Sequence, residues 1–91
     1  MKIAWTTVET PEQAKTLSKL AVESGLAVCA QISSPILSIY RWKGELAESQ
    51  EYRITLKFSD SSLIKLKQLV LQKHPYETPQ WVVADLSDVS E

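Results

Sequence analysis

The strongest constraint in this sequence is a central run of β-forming residues too long for a small domain to enclose. A compact chain of 91 residues is about 30 Å across. The stretch 28–42, if mostly extended, reaches about 45 Å. Ser33-Ser34-Pro35 interrupts it, and because proline cannot donate to a central ladder, a bulge or an edge position is expected there. The strand must therefore bend sharply at that point or project from the body. Two short helices cannot cover Ile36, Leu37, Ile39, Tyr40 and Trp42 together. Exposed apolar strands with an open edge invite pairing with another subunit, so an oligomer is the expected solution.

The flanking segments read more simply. Lys2–Val8 (KIAWTTV) is a strand, and it ends at a helix-start signal: Thr10 as N-cap, Pro11 at the first helical position, Gln13 completing a capping box. Ala14, Leu17, Ala21 and Ser24 recur at helical spacing while Glu12, Lys15, Lys19 and Glu23 face water; Gly25 is the left-handed stop, with Leu26 folding back. Residues 27–32 and Ile36–Trp42 form an interrupted strand, Lys43-Gly44 a turn, and 52–58 a returning strand with Tyr52, Ile54, Leu56 and Phe58 on one face. Asp60 or a neighbouring serine caps a second helix carrying Leu63, Ile64, Leu66 and Val70, which Pro75 ends. Residues 81–86 form a last strand, followed by a polar tail. Strand, helix, strand, strand, helix, strand is the order of an α+β, ferredoxin-like βαββαβ domain, with both helices on one face of an antiparallel sheet and a long central hairpin. Residues 1–91 form that single domain, because there are no repeats or linkers and the length leaves no room for a second core.

Composition excludes several function classes. Ten Lys and Arg against eleven Asp and Glu give a net charge of −1 without any basic block, so the footprint of a nucleic-acid binder is missing. No run approaches the roughly 20 apolar residues of a membrane span, and the N-terminus lacks the pattern of a signal peptide. The single cysteine rules out an intrachain disulfide and suits a reducing cytoplasm. With a single histidine and two glycines, the chain has neither a Ser-His-Asp set, nor a paired-histidine hydrolase site, nor a glycine-rich phosphate loop.

Three stretches, in this order and spacing, resemble the CutA family of divalent-cation tolerance proteins. They are Leu26-Ala27-Val28-Cys29-Ala30-Gln31-Ile32, then Ser38-Ile39-Tyr40-Arg41-Trp42-Lys43-Gly44-Glu45, then His74-Pro75-Tyr76-Glu77-Thr78-Pro79. The resemblance runs from Lys2 to about Leu86. It implies a tight homotrimer in which the central hairpins pair across subunits, a response to copper and other divalent metal ions, an architecture similar to the PII signalling proteins, and no enzymatic activity. Three departures stand out. Members usually continue past the last strand with a segment that packs on a neighbour, whereas this chain stops at Glu91. Gln31 also stands where asparagine is common, and Phe58 where a small polar residue is usual.

The candidate metal ligands are Cys29, His74 and Glu77. A thiolate is a soft ligand for copper, and an imidazole beside a carboxylate binds divalent ions, so copper or another divalent cation is the expected ligand, with no cofactor required. Each has a plainer reading: Cys29 as a small buried residue of a central strand, His74 as a helix C-terminal cap. Tyr40, Trp42, Lys57 and Tyr76 are candidates for a small-ligand cleft between subunits, in the manner of a PII-like regulatory or scaffolding module; Trp42 is also a natural interface anchor. Glu45, Glu48 and Glu51 follow the turn and read as solvated charges guarding an edge.

Overall fold

A fourteen-residue strand organises the chain, and every other strand but one pairs with it. The computed structural model describes residues 1–90. The elements are β1 (Lys2–Val8), α1 (Pro11–Glu23), β2 (Cys29–Ile32), β3 (Ile36–Trp42), β4 (Glu45–Phe58), a 3-10 turn (Asp60–Ser62), α2 (Leu63–Lys73) and β5 (Val82–Asp85). The sheet runs β2-β4-β1-β5, with β3 pairing the outer half of β4, and all pairings are antiparallel. This is the ferredoxin-like order, with its second strand split in two.

The split occurs at Ser33–Pro35 as the sequence implied, and the register gives its nature. Ile32 pairs with Ile54, but Ile36 pairs with Glu51, so residues 33–35 oppose only 52 and 53. The extra residue makes a bulge. Ser33 holds it: its backbone N–H donates to the Arg53 carbonyl at 2.9 Å, and its hydroxyl accepts from the Arg53 N–H at 2.8 Å. Beyond the bulge the hairpin extends to a two-residue turn in which both Lys43 (φ 51°) and Gly44 (φ 80°) have positive φ, the geometry that matches strand twist. The projection stretches the molecule to 40 × 26 × 24 Å, with a radius of gyration of 13.4 Å. A compact chain of this length would have about 12 Å.

The core lies between the helices and one sheet face: Ala4, Val8, Ile54, Leu56 and Phe58 against Ala14, Leu17, Ala21, Leu66 and Val70. Helix α1 forms as its local signals dictate. The Thr10 hydroxyl accepts from the Gln13 N–H at 3.1 Å, and the Gln13 side chain accepts from the Thr10 N–H at 3.1 Å. Gly25, at φ 79°, closes its end. Three expectations fail for physical reasons. Ser18, not Ser24, faces the core. Ile64 is 72% exposed because it stands two residues, about 200° of helix, from the buried Leu66. Asp60 and the serines leave α2 without a side-chain cap; Asp60 pairs instead with the Met1 ammonium at 2.9 Å, which lowers its pKa. Strand β4 also starts seven residues earlier than the alternating run 52–58 indicated.

Ser18 carries a buried hydroxyl with no hydrogen-bond partner among the described residues. A buried, unsatisfied hydroxyl costs about 1–3 kcal/mol, so Ser18→Ala is expected to leave stability unchanged or raise it by about 1 kcal/mol. Leu66→Ala, which opens a cavity, is expected to lose about 2–5 kcal/mol. Urea unfolding of both variants checks the contrast; a loss of stability in Ser18→Ala would show a partner for the hydroxyl.

Candidate functional site

The polar residues of the fold converge where the hairpin leaves the body. Strand β5 pairs only with Lys2 to Trp5, which leaves Thr6, Thr7 and Val8 of β1 unpaired on that side. The segment 74–76 covers this free edge. His74 is buried, and its Nε2 lies 2.9 Å from the Thr6 hydroxyl, on the helix side of the sheet. Tyr76 crosses to the other side, where its hydroxyl donates to Glu51 Oε2 at 2.8 Å. The two rings meet at 5.0 Å with a tilt of 54°.

The hydrogen bonds fix the chemical form of His74. The Tyr76 backbone N–H can only donate, and it donates to Nδ1 at 3.1 Å. Nδ1 is therefore unprotonated, and in the neutral ring the proton sits on Nε2, facing Thr6. Burial lowers the His74 pKa below its ordinary value, while a backbone hydrogen bond with Thr7 and the Glu51 carboxylate pull weakly the other way. The Tyr76 phenol is raised well above its ordinary value, first by burial and then by its bond to Glu51, so it remains a donor.

Glu51 is the residue that sequence reasoning misplaced. Only 8% of it is exposed; it is a buried acceptor and not a solvated hairpin charge. Its burial depends on a tyrosine 25 residues further on, a contact that no local pattern announces. Beside it opens a cleft of about 530 Å³ lined by Glu9, Tyr40, Ser49, Gln50, Glu51 and Tyr76. The β3–β4 register puts Tyr40 with Ala47 and Ser38 with Ser49, so Tyr40, Ser49 and Glu51 share one hairpin face.

The sequence-derived candidates are only partly brought together. Tyr40 and Tyr76 meet in the cleft. Trp42 stands further out at the hairpin turn, with the Lys43 ammonium 5.9 Å from its ring centre. Lys57 lies near the other end of β4, opposite Cys29 in the register. Cys29, paired with Lys57, faces the side of the sheet away from the helices, while His74 bonds Thr6 on the helix side. One chain therefore cannot bring Cys29 and His74 to a common ion. Glu77 is exposed, and among the described residues no group of three His, Cys, Asp or Glu side chains is placed to hold a metal. No helix among the described residues is long and apolar enough to cross a membrane.

The sheet order and the split second strand define a ferredoxin-like protein. The chain belongs to the CutA1 divalent ion tolerance protein family, whose pattern matches residues 2–91. It is 39% identical over 82 residues to the divalent-cation tolerance protein CutA of Thermus thermophilus, covering 90% of this chain and 80% of that one. To the human protein CutA it is 34% identical over 77 residues, 85% of this chain but only 43% of the human protein. The solved Thermus thermophilus divalent cation tolerance protein superposes with a TM-score of 0.94 at 36% identity, over 99% of this chain and 88% of the other. The PII-like protein CutA of Nostoc, in its apo form, gives 0.88 at 37% identity, over 96% and 82%.

Two predictions follow from the His74–Tyr76–Glu51 chain. The unfolded chain takes up a proton near pH 6.5 that folded His74 resists, so stability is expected to fall as pH drops below about 6.5 until the lower folded pKa is passed. Urea unfolding between pH 7.5 and 5 measures this, and His74→Gln should flatten the slope. Tyr76→Phe removes a hydrogen bond to a charged acceptor in a half-buried setting, and is expected to cost about 1–2 kcal/mol. A double-mutant cycle with Glu51→Ala should return a coupling of about 1 kcal/mol; additive losses would mean that the contact contributes nothing.

Proposed function

We propose that the chain acts in the cytoplasm as a homotrimeric, non-enzymatic divalent-cation tolerance protein whose β3–β4 hairpins pair between subunits. The observation that carries this reading is one hairpin face that nothing among the described residues covers. Leu37, Ile39 and Leu46 fall on that face by register, and are 64%, 59% and 77% exposed. Contiguous apolar exposure of this kind marks an interface. Family membership supports the tolerance role.

Copper is the proposed divalent cation, with Cys29 as its soft ligand. The opposite-face placement of Cys29 and His74 means that such a site draws on more than one subunit, with His74 and Glu77 contributed by a neighbour. His74 would have to release the Tyr76 N–H to ligate through Nδ1.

Sedimentation equilibrium is expected to give three times the chain mass of 10.3 kDa, and Leu37→Glu with Leu46→Glu to dissociate it. A monomer at micromolar concentration overturns the assembly. Titration of the trimer with Cu(II) and Zn(II) is expected to show copper binding that weakens in Cys29→Ser; unchanged binding in Cys29→Ser and His74→Ala removes these residues from the site.

A second reading is favoured by the cleft itself: a PII-like regulatory module in which Tyr40 and Tyr76, joined by Trp42 and Lys57 of neighbouring subunits, enclose a small metabolite. The volume of about 530 Å³ suits a small ligand. A thermal-shift panel of nucleotides, small anions and small cations separates the two readings, and a flat response across it counts against this one.

A further inference from the structure

We infer that the cleft at the hairpin base takes a small organic ammonium ion, held between the Tyr40 and Tyr76 rings against the Glu51 and Glu9 carboxylates. The inference rests on reading this cleft as a small-ligand site, but one walled by Tyr40, Tyr76 and the carboxylates of a single chain, with the neighbouring Lys57 outside it, and it supplies the chemical class of the ligand.

Charge is the first argument. Among the described residues, the only charged side chains lining the cleft are Glu9 and Glu51, and both are negative. Glu9 follows Val8 and Glu51 precedes Tyr52, the last pair of the β1–β4 register, and both carboxylates line the cleft. Two carboxylates on one small cleft give it a negative potential. Glu51 is buried, and the hydrogen bond it accepts comes from a neutral phenol. A buried carboxylate without a cation is held at a cost that a bound cation would relieve. The basic residues of β4 do not supply one: Arg53 is exposed and does not line the cleft, and Lys57 lies six residues away, about 20 Å along the strand.

Shape and donor chemistry then select among cations. A bare metal ion needs several ligands at one point, and the described residues offer no such group of three. Two phenol rings and a volume of about 530 Å³ suit an organic cation instead, because ammonium groups are attracted to aromatic faces. Ser49 offers a hydroxyl acceptor for a hydroxyl or amine on the same ligand. Phosphorylated metabolites and nucleotides would meet two carboxylates and, among the described residues, no cation lining the cleft.

The test is isothermal titration of the assembled protein with choline and ethanolamine. Parallel titrations use 3,3-dimethyl-1-butanol, the neutral carbon isostere of choline, and ATP and inorganic phosphate. One of the two ammonium probes is expected to bind at least tenfold more tightly than the isostere, and neither anion is expected to bind. Glu51→Gln keeps the shape and an acceptor for Tyr76, so it should fold with an unchanged circular dichroism spectrum and weaken the ammonium probe at least tenfold. Tyr40→Ala should weaken it while leaving the fold intact. The inference is overturned if neither ammonium probe binds, if the isostere binds as well as choline, or if Glu51→Gln binds as well as the native chain. Binding of ATP or phosphate in place of the ammonium probes sinks the charge argument but leaves the cleft as a ligand site. Failure of every probe removes the cleft reading as well, and sedimentation of the same samples judges the trimer independently.

Discussion

Strand β4 is the member on which the rest depends. Its inner half, 52–58, is clamped between β1 and β2 and supplies Ile54, Leu56 and Phe58 to the core. Its outer half, 45–51, has only β3 beside it. One continuous strand thus belongs to two environments, a three-strand centre with a helix layer and a two-strand ribbon without one. A two-strand ribbon is marginal by itself in water. The bulge at Ser33–Pro35 lets the partner strand follow this change without breaking the ladder, and Ser33 satisfies the backbone there on both sides.

The junction between the two halves is also where the candidate site lies, for a reason that follows from the sheet. Strand β5 is too short to protect the end of β1, so a loop must do so, and loops can bring side chains that strands cannot. The 74–76 segment threads from His74 on the helix side to Tyr76 on the open side. It covers the free edge of β1 with His74 and supplies Tyr76 to the wall of the cleft. Stability and site are coupled at Tyr76: the bond that orders its ring is made to the carboxylate that gives the cleft its charge.

Much of this fold was legible in the sequence because the deciding signals are local. The capping box of Thr10 and Gln13, the positive-φ residues Lys43 and Gly44, and the proline at 35 each act within a few residues of themselves. What escaped was set by distant partners. The serines near residue 60 do not cap α2, and Asp60 is drawn to the chain terminus 59 residues away. Strand β2 is shorter than its sequence run because residues 27 and 28 bond to Ala21 and Lys57 without regular pairing. The site was half legible. Tyr40 and Tyr76 were found as aromatic candidates, and the cleft joins them. Glu51 was read as surface charge, since only the register and the 74–76 crossing bury it. Cys29 and His74 drew attention as the lone soft ligands, yet strand alternation separates them across the sheet.

We propose that the outer half of β4, which has β3 beside it in its own chain, is held in place by association between subunits. Amide hydrogen exchange, followed by mass spectrometry over a dilution series, tests it directly. Peptides covering 45–51 should match the protection of 52–58 at high concentration, then lose it first as the protein is diluted. Equal and concentration-independent protection of both halves, in samples shown to be monomeric, would contradict the account.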